Sequence, residues 1–216
     1  LKIQTENESV ARKCFTLLQK TFNIETEISV RENSHLKRVK VYVIEISEPK
    51  EIQVILQALK LTTDSVDHGT LIVADMLVAQ QNCCKRAFIR GAFLASGSIS
   101  DPEKGYHFEI VCPDVRRAEQ LQTIIRSFSV DAKIVQRKKS HVVYAKEGAQ
   151  IVDMLADMEA KVALMDLENM RRLKEMRNSV NRKVNCETAN INKTVNAAVK
   201  QMEDIKLIQQ KLGFEQ

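Results

Sequence analysis

The sequence contains no run of about 18 apolar residues, the length that a membrane-spanning helix needs, so we expect no membrane partner. Cysteines spaced as Cys-x-x-Cys are also absent, and the four histidines are scattered, so no zinc-site spacing occurs. A glycine-rich phosphate loop is missing as well. The sequence therefore predicts no metal site and no cofactor.

Cysteine is sparse, and its pattern is not that of a disulfide framework. The five cysteines are odd in number and widely separated, which favours reduced thiols in the cytoplasm. Spacing alone leaves a cysteine nucleophile with a histidine partner open, but nothing singles one out. With 44% hydrophobic and 28% charged residues, the composition is that of a globular protein. The net charge of +5 is a weak indication of a polyanionic partner.

Residues 83–99, with the sequence CCKRAFIRGAFLASGSI, predict a helix of small and apolar residues, followed by a turn at Asp101-Pro102. Ala87, Gly91 and Ala95 recur every four residues and form a ridge that a second backbone could approach closely. Because glycine destabilises a helix interior, Gly91 indicates that something packs there. The segment resembles the signature helix of LAGLIDADG homing endonucleases. We expect Ser96 and Gly97, at its end, to serve helix packing as well.

An internal repeat flanks this helix. Residues 1–60 predict strand, helix, strand, strand and helix, and the same order recurs within 83–160 after the signature helix. Ala11 corresponds to Ala118, and Leu17-Leu18 to Ile124-Ile125. Residues 61–82 would link the copies. Since no helix precedes the first copy, we expect its signature helix to be absent from this chain; the alternative is chance similarity of two α+β halves.

The remaining residues, 161–216, predict helices only. A basic helix over Val162–Val184 would meet a boundary at Asn181–Asn185, followed by an amphipathic helix that stops at Gly213. Between Arg171 and Lys200 eight basic residues face two acidic ones, a local charge of +6. A solvated helix face is the alternative to a DNA-binding arm. The candidate DNA contacts here are Arg171, Arg172, Lys174, Arg177, Arg182 and Lys183.

Two long motifs resemble the WhiA family of bacterial regulators. The first is residues 83–107, and the second is residues 180–194, VNRKVNCETANINKT. The resemblance implies a pseudo-two-fold, α+β, LAGLIDADG-like domain of two αββαββα-type repeats, here without the first signature helix, followed by a helical arm that begins a helix-turn-helix region. It also implies that this chain lacks both ends of the family's protein.

In the LAGLIDADG architecture the sheet strands sit on the DNA major groove. Lys133, Arg137 and Lys139 alternate along one predicted strand and would share a face. The equivalent hairpin of the first copy carries Arg31, Lys37, Arg38 and Lys40. Such side chains would mostly contact phosphates. Alternatively, lysines at edges and turns protect sheets from aggregation.

The expectation that the chain lacks nuclease activity depends on Ser96. It stands where the LAGLIDADG nucleases carry a metal-binding aspartate, and its neutral hydroxyl would hold a hard cation poorly. Asp75 and Asp101 are near in sequence but do not occupy that position. We therefore expect no enzyme activity, with residual endonuclease activity as a third possibility.

The resemblance implies a non-catalytic, DNA-binding transcription regulator of sporulation, cell division and chromosome segregation, at the nucleoid in the cytoplasm. Double-stranded DNA would be its main partner, and another transcription or cell-division protein a second one. The alternative is a protein-interaction scaffold, whose repeat domain recruits a partner while only a missing C-terminal domain binds DNA.

Overall fold

The computed structural model describes residues 1–33, 39–60 and 79–213, which form two units: residues 1–164, and a second unit that begins at Met165. None of the helices in these ranges combines the length and the apolar character needed to cross a membrane. The first copy consists of β1 (Lys2–Thr5), α1 (Glu8–Phe22), β2 (Glu27–Asn33), β3 (Val39–Glu45) and α2 (Pro49–Ala58). The second copy consists of α3 (Asn82–Ser96), β4 (Gly97–Ile99), β5 (Phe108–Cys112), α4 (Val115–Arg126), β6 (Lys133–Arg137), β7 (Ser140–Ala145) and α5 (Gly148–Asp157), and α6 (Lys161–Leu212) follows.

The predicted repeat is confirmed in the sheet topology. The first sheet has the order β1-β3-β2, and the second has the order β4-β5-β7-β6. Apart from β4, each strand of the second sheet occupies the place of its counterpart, and every described pairing is antiparallel. The predicted α+β class is therefore correct. Most of the predicted linker, residues 61–78, lies outside the described residues.

Helix α1 begins and ends where its sequence dictates. The Asn7 side chain accepts hydrogen bonds from the backbone of Ser9 and Val10, and Asn23 adopts the left-handed conformation that ends many helices. Its apolar stripe packs on the first sheet, where Leu18, Ile24 and Ile44 are at most 8% exposed. This small core holds the first copy together.

The second copy has the larger core. Phe108, Ile110 and Val143 occupy one face of the second sheet and are each about 1% exposed. Helix α4, which is capped by Asp114, adds a buried stripe that includes Leu121 and Ile124. Their burial follows from alternation along the strands and from the period of the helix.

Helix α3 ends earlier than predicted. It stops at Ser96, and Gly97-Ser98-Ile99 is a strand paired with β5 rather than the last helical turn. Gly97 permits this direct passage from helix to strand, because a Cβ at this position would clash with the Phe93 ring. That ring stacks on Phe108, with the two centroids 5.1 Å apart. The junction fixes the signature helix to the sheet.

Helix α6 corrects the prediction for the C-terminal region. It runs without interruption from Lys161 to Leu212, so no break occurs at the expected boundary, Asn181–Asn185. Asparagine favours caps and turns, but it does not forbid a helix interior. The asparagine-rich motif is therefore helical throughout.

We predict that Gly97→Ala lowers the free energy of unfolding by about 1–3 kcal/mol, the usual range for overpacking. The Phe93 ring and the Phe93 carbonyl oxygen must both move to admit the new methyl group, which disturbs the stacking of Phe93 on Phe108. Urea unfolding followed by circular dichroism measures the change. Gly105→Ala is the control, since a Cβ there meets no described atom within 4 Å. Equal stability of the two variants would contradict this account of the junction.

Candidate nucleic-acid interface

The strand register gives the second sheet one polar face. Lys133 and Glu109 both pair with Tyr144, and Ser98 pairs with Glu109, so these four residues form one row across the sheet. Because side chains alternate between faces, they lie opposite the buried Phe108, Ile110 and Val143. The exposed Arg137, paired with Ser140, is on the same side. We call this surface the polar face; it comprises Ser98, His107, Glu109, Lys133, Arg137, Tyr144 and Lys146.

Glu109 is the centre of the polar face. Its carboxylate accepts hydrogen bonds from the Arg137 guanidinium at 2.9 Å and from the Ser98 hydroxyl at 3.3 Å, and it lies 2.9 Å from His107 Nε2. The hydrogen bond with His107 lowers the pKa of Glu109 most strongly; partial burial opposes the shift, and the charge of Arg137 assists it. Glu109 is thus held as a carboxylate.

Aromatic and basic groups surround this carboxylate. The His107 and Tyr144 rings stack with their centroids 6.0 Å apart, and the Lys146 ammonium lies 5.2 Å from the centroid of the Tyr144 ring. The Lys133 side chain is 62% exposed and lies 3.7 Å from Asp131. An ion pair this exposed contributes little, so Lys133 can exchange Asp131 for another anion.

The predicted hairpin residues fall in different places. Lys133 and Arg137 share the polar face, whereas Lys139 lies beyond the strand, exposed in the turn between β6 and β7. All three remain within the same hairpin. Sequence reasoning missed His107, Glu109 and Tyr144, since no strand pairing connects them to Arg137 until the sheet is assembled.

Within the described residues, the first copy shows no basic hairpin face equivalent to that of the second. Arg31 pairs with Val41 and Lys40 pairs with Glu32, so the two cations point to opposite faces of the sheet. Tyr42, two residues from Lys40 on β3 and on the same face, donates a hydrogen bond of 3.3 Å to Glu8 on α1, so Lys40 lies on the side of the sheet that α1 covers. Lys37 and Arg38 lie outside the described residues.

The basic residues of α6 do not form a single face. Arg171 and Arg182, and likewise Arg172 and Lys183, are 11 residues apart and align after three turns, whereas Lys174 lies about 60° and Arg177 about 120° around the helix from Arg171. Arg171 and Arg172 are within 3.4 Å of Glu168. Arg182 donates to the carbonyl of Asn178. The arm is therefore a broadly positive rod with local ion pairs.

One side of α3 is fixed, and the other borders a groove. Arg86 and Arg90 approach Asp157 at 3.4 Å and Glu159 at 2.5 Å. On the other side, Gly91 and Ala95 line a groove of about 560 Å³, to which α1 contributes the side chains of Val10, Cys14 and Leu17. A Cβ on Gly91 would meet no described atom within 4 Å, so the expected partner of this ridge stays a prediction.

The groove also breaks the symmetry between the two copies. Leu17 is 50% exposed, while its counterpart Ile124 is 1% exposed. The two side chains occupy equivalent positions on α1 and α4, so their difference in burial comes from their surroundings.

Ser96 has a structural contact. Its hydroxyl donates a hydrogen bond of 2.7 Å to the backbone carbonyl of Val111, which ties the end of α3 to β5. Within the described ranges, no three histidine, cysteine or acidic side chains are grouped so that they could hold a metal ion. The described residues thus offer a polar, basic surface without a cluster of metal-binding side chains.

Three family profiles match the chain in succession. The WhiA N-terminal LAGLIDADG-like domain matches residues 1–62, the WhiA LAGLIDADG-like domain matches residues 85–177, and the WhiA C-terminal HTH domain matches residues 180–216. A curated relative from Lachnoclostridium phytofermentans, named "Probable cell division protein WhiA", is 58% identical over 213 residues, 99% of this chain and 68% of the relative. The chain belongs to the WhiA family.

Solved structures share the fold of this chain. Full-length DUF199/WhiA from Thermatoga maritima has a TM-score of 0.65 at 20% identity and covers 98% of this chain. The chain spans 66% of the length of that structure. The homing endonuclease I-DmoI, solved with DNA and Mn, has a TM-score of 0.51 at 12% identity over 73% of this chain and 79% of its own. The predicted LAGLIDADG-like fold is confirmed.

We predict that the ionised Glu109 stabilises the fold and that acid removes this stabilisation. Since its pKa is lowered on folding, its contribution is present above the usual value of 4.5 and is lost as the pH falls through the lower, folded value. The difference in unfolding free energy between wild type and Glu109→Gln should therefore shrink from pH 6 to about pH 3. Urea unfolding across this pH range measures it.

The control for this prediction is Glu25→Gln, which alters an exposed carboxylate between α1 and β2. Its effect on stability should be small throughout the pH range. A Glu109→Gln effect that stays constant from pH 6 to pH 3 would refute the assignment of Glu109 as the charged centre of the polar face.

Proposed function

We propose that this WhiA-family chain is a non-catalytic, DNA-binding transcription regulator with roles in bacterial cell division, sporulation and chromosome segregation. The observation that carries the proposal is the match of residues 180–216 to the WhiA C-terminal HTH domain, adjoining a strongly basic segment of α6. A helix-turn-helix places a recognition helix in the major groove of duplex DNA. Relatives named as cell division proteins support the proposed process.

The hairpin formed by β6 and β7 supplies a second proposed contact with DNA. Lys133 and Lys139 are exposed cations on one hairpin, and a two-stranded ribbon fits the major groove. Lysines bound to phosphates would add affinity and salt dependence without sequence preference. A DNA partner of this kind implies action in the cytoplasm, at the nucleoid.

The same proposal includes that the chain does not cleave DNA. Cleavage of a phosphodiester on a LAGLIDADG-like scaffold requires carboxylates that hold divalent metal beside the phosphate. Ser96 instead donates its hydroxyl to the carbonyl of Val111. An aspartate at this position would set a carboxylate against that carbonyl oxygen, so the serine suits the junction and not metal binding.

A protein-interaction scaffold is the second candidate, and the groove beside α3 favours it. Leu17 and Leu94, about half exposed, line this groove and offer apolar surface to a partner. In that case the polar face would not contact DNA.

We predict that Lys133→Glu/Lys139→Glu weakens binding to duplex DNA at least about tenfold at 100 mM salt, because two phosphate contacts are lost. Fluorescence anisotropy with a labelled 30-base-pair duplex, repeated from 50 to 300 mM salt, measures affinity and its salt slope. The wild-type affinity should fall steeply over this range, and the slope of the variant should be shallower by about 2.

The charge-matched control is Lys20→Glu/Lys50→Glu, which alters exposed lysines on α1 and α2. It should bind within about twofold of wild type, since the same net charge is lost away from the hairpin. Wild-type binding that is unchanged from 50 to 300 mM salt would contradict phosphate-driven contact. Equal affinity of the two charge variants would favour the scaffold.

A further inference from the structure

The Arg137 side chain crosses the polar face diagonally. Arg137 on β6 pairs with Ser140 on β7, whereas its hydrogen-bond acceptor, Glu109 on β5, pairs with Tyr144 on β7. On the polar face, the row of Tyr144 is two rows from that of Ser140, and β5 is two strands from β6. The 2.9 Å contact with Glu109 therefore requires the side chain to pass the intervening row of valines. Val142, in that row, is 2% exposed although it lies on the polar face, which fits an arginine stem above it.

This path leaves the guanidinium oriented and accessible. The Arg137 side chain is 54% exposed, and the hydrogen bond with Glu109 uses Nη1. A guanidinium has five N–H donors in a rigid fork, so donors remain for a second partner. Because one carboxylate already fixes the fork, less conformational freedom is lost when that partner binds.

The charge of Glu109 decides what the second partner can be. A phosphate that approached Arg137 would also approach the Glu109 carboxylate, and the two negative charges would repel each other. The edge of a base carries no net charge and meets no such repulsion. Guanine presents O6 and N7 to the major groove, and arginine binds both at once.

We propose that Arg137, held across the sheet by Glu109, recognises a guanine in the major groove of duplex DNA. Glu109 acts as a positioning residue, while Lys133 and Lys139 contact the flanking phosphates. This assignment rests on the proposed DNA-binding function, and it makes the polar face a source of sequence preference as well as affinity. An ammonium in place of the guanidinium cannot present the same two-donor fork.

The test is selection of bound duplexes from a pool with a randomised 14-base-pair core, at 100 mM salt, with sequencing of the bound fraction. Wild type should enrich a guanine that Arg137→Lys no longer enriches, with a loss of preference of about tenfold or more. Arg137→Lys should keep its affinity for unselected duplexes within about twofold, because the charge is conserved.

Two further variants separate positioning from folding. Glu109→Gln should lose the same guanine preference while binding unselected duplexes at least as tightly as wild type, because a negative charge is removed. Glu25→Gln removes an exposed carboxylate outside the polar face and gives the same change in charge, so its guanine preference should match wild type. Thermal unfolding of each variant verifies that the sheet is intact.

The outcomes distinguish this inference from the function beneath it. If Arg137→Lys or Glu109→Gln retains the guanine preference, or if wild type enriches no guanine that depends on Arg137, the inference is overturned while duplex binding stands. If wild type retains no duplex even at 50 mM salt, the proposed DNA-binding function fails as well.

Discussion

The antiparallel register of β5, β7 and β6 is the constraint on which this structure depends. It sends Phe108, Ile110 and Val143 into the core, and with the same alternation it sends Glu109, Tyr144 and Lys133 to the opposite face. A slip of one residue would exchange the two sets and bury charges. The apolar core thus enforces the polar face, and the proposed site needs no separate folding signal.

The junction at Gly97 connects this sheet to the signature helix. Gly97 leaves room for the Phe93 ring, Phe93 stacks on Phe108, and the Ser96 hydroxyl binds the carbonyl of Val111. Three residues of the LAGLIDADG-like signature therefore serve packing in this chain. The likeness to a nuclease fold and the proposed loss of nuclease chemistry are compatible, because the scaffold contacts do not need a metal.

Much of the fold could be predicted from the sequence, because each element carries a local signal. The repeat appeared as a recurring order of elements and as matched pairs such as Ala11 and Ala118, both of which are buried. The end of α3 was misjudged, since nothing local shows that Ser98 pairs with Glu109. The supposed break at Asn181–Asn185 was wrong, because asparagine only weakens helices.

The candidate site was less predictable than the fold, for a physical reason. The alternation of side chains along a strand correctly predicted that Lys133 and Arg137 share one face. The contact between Arg137 and Glu109 was not predicted, because Glu109 is far from both residues in sequence. Lys40 was grouped with Arg31 by proximity, and the register separates them. Contacts across strands depend on pairing, and sequence reveals pairing only indirectly.

The central claim is that the polar face of the second sheet contacts duplex DNA, and an NMR titration of the ¹⁵N-labelled chain tests it most directly. On addition of duplex, the account predicts shifts of the Arg137 side-chain Nε–H and of the β6 and β7 amides, while the amides of α4 stay in place. Shifts confined to residues 165–213, with Arg137 unchanged, would contradict it.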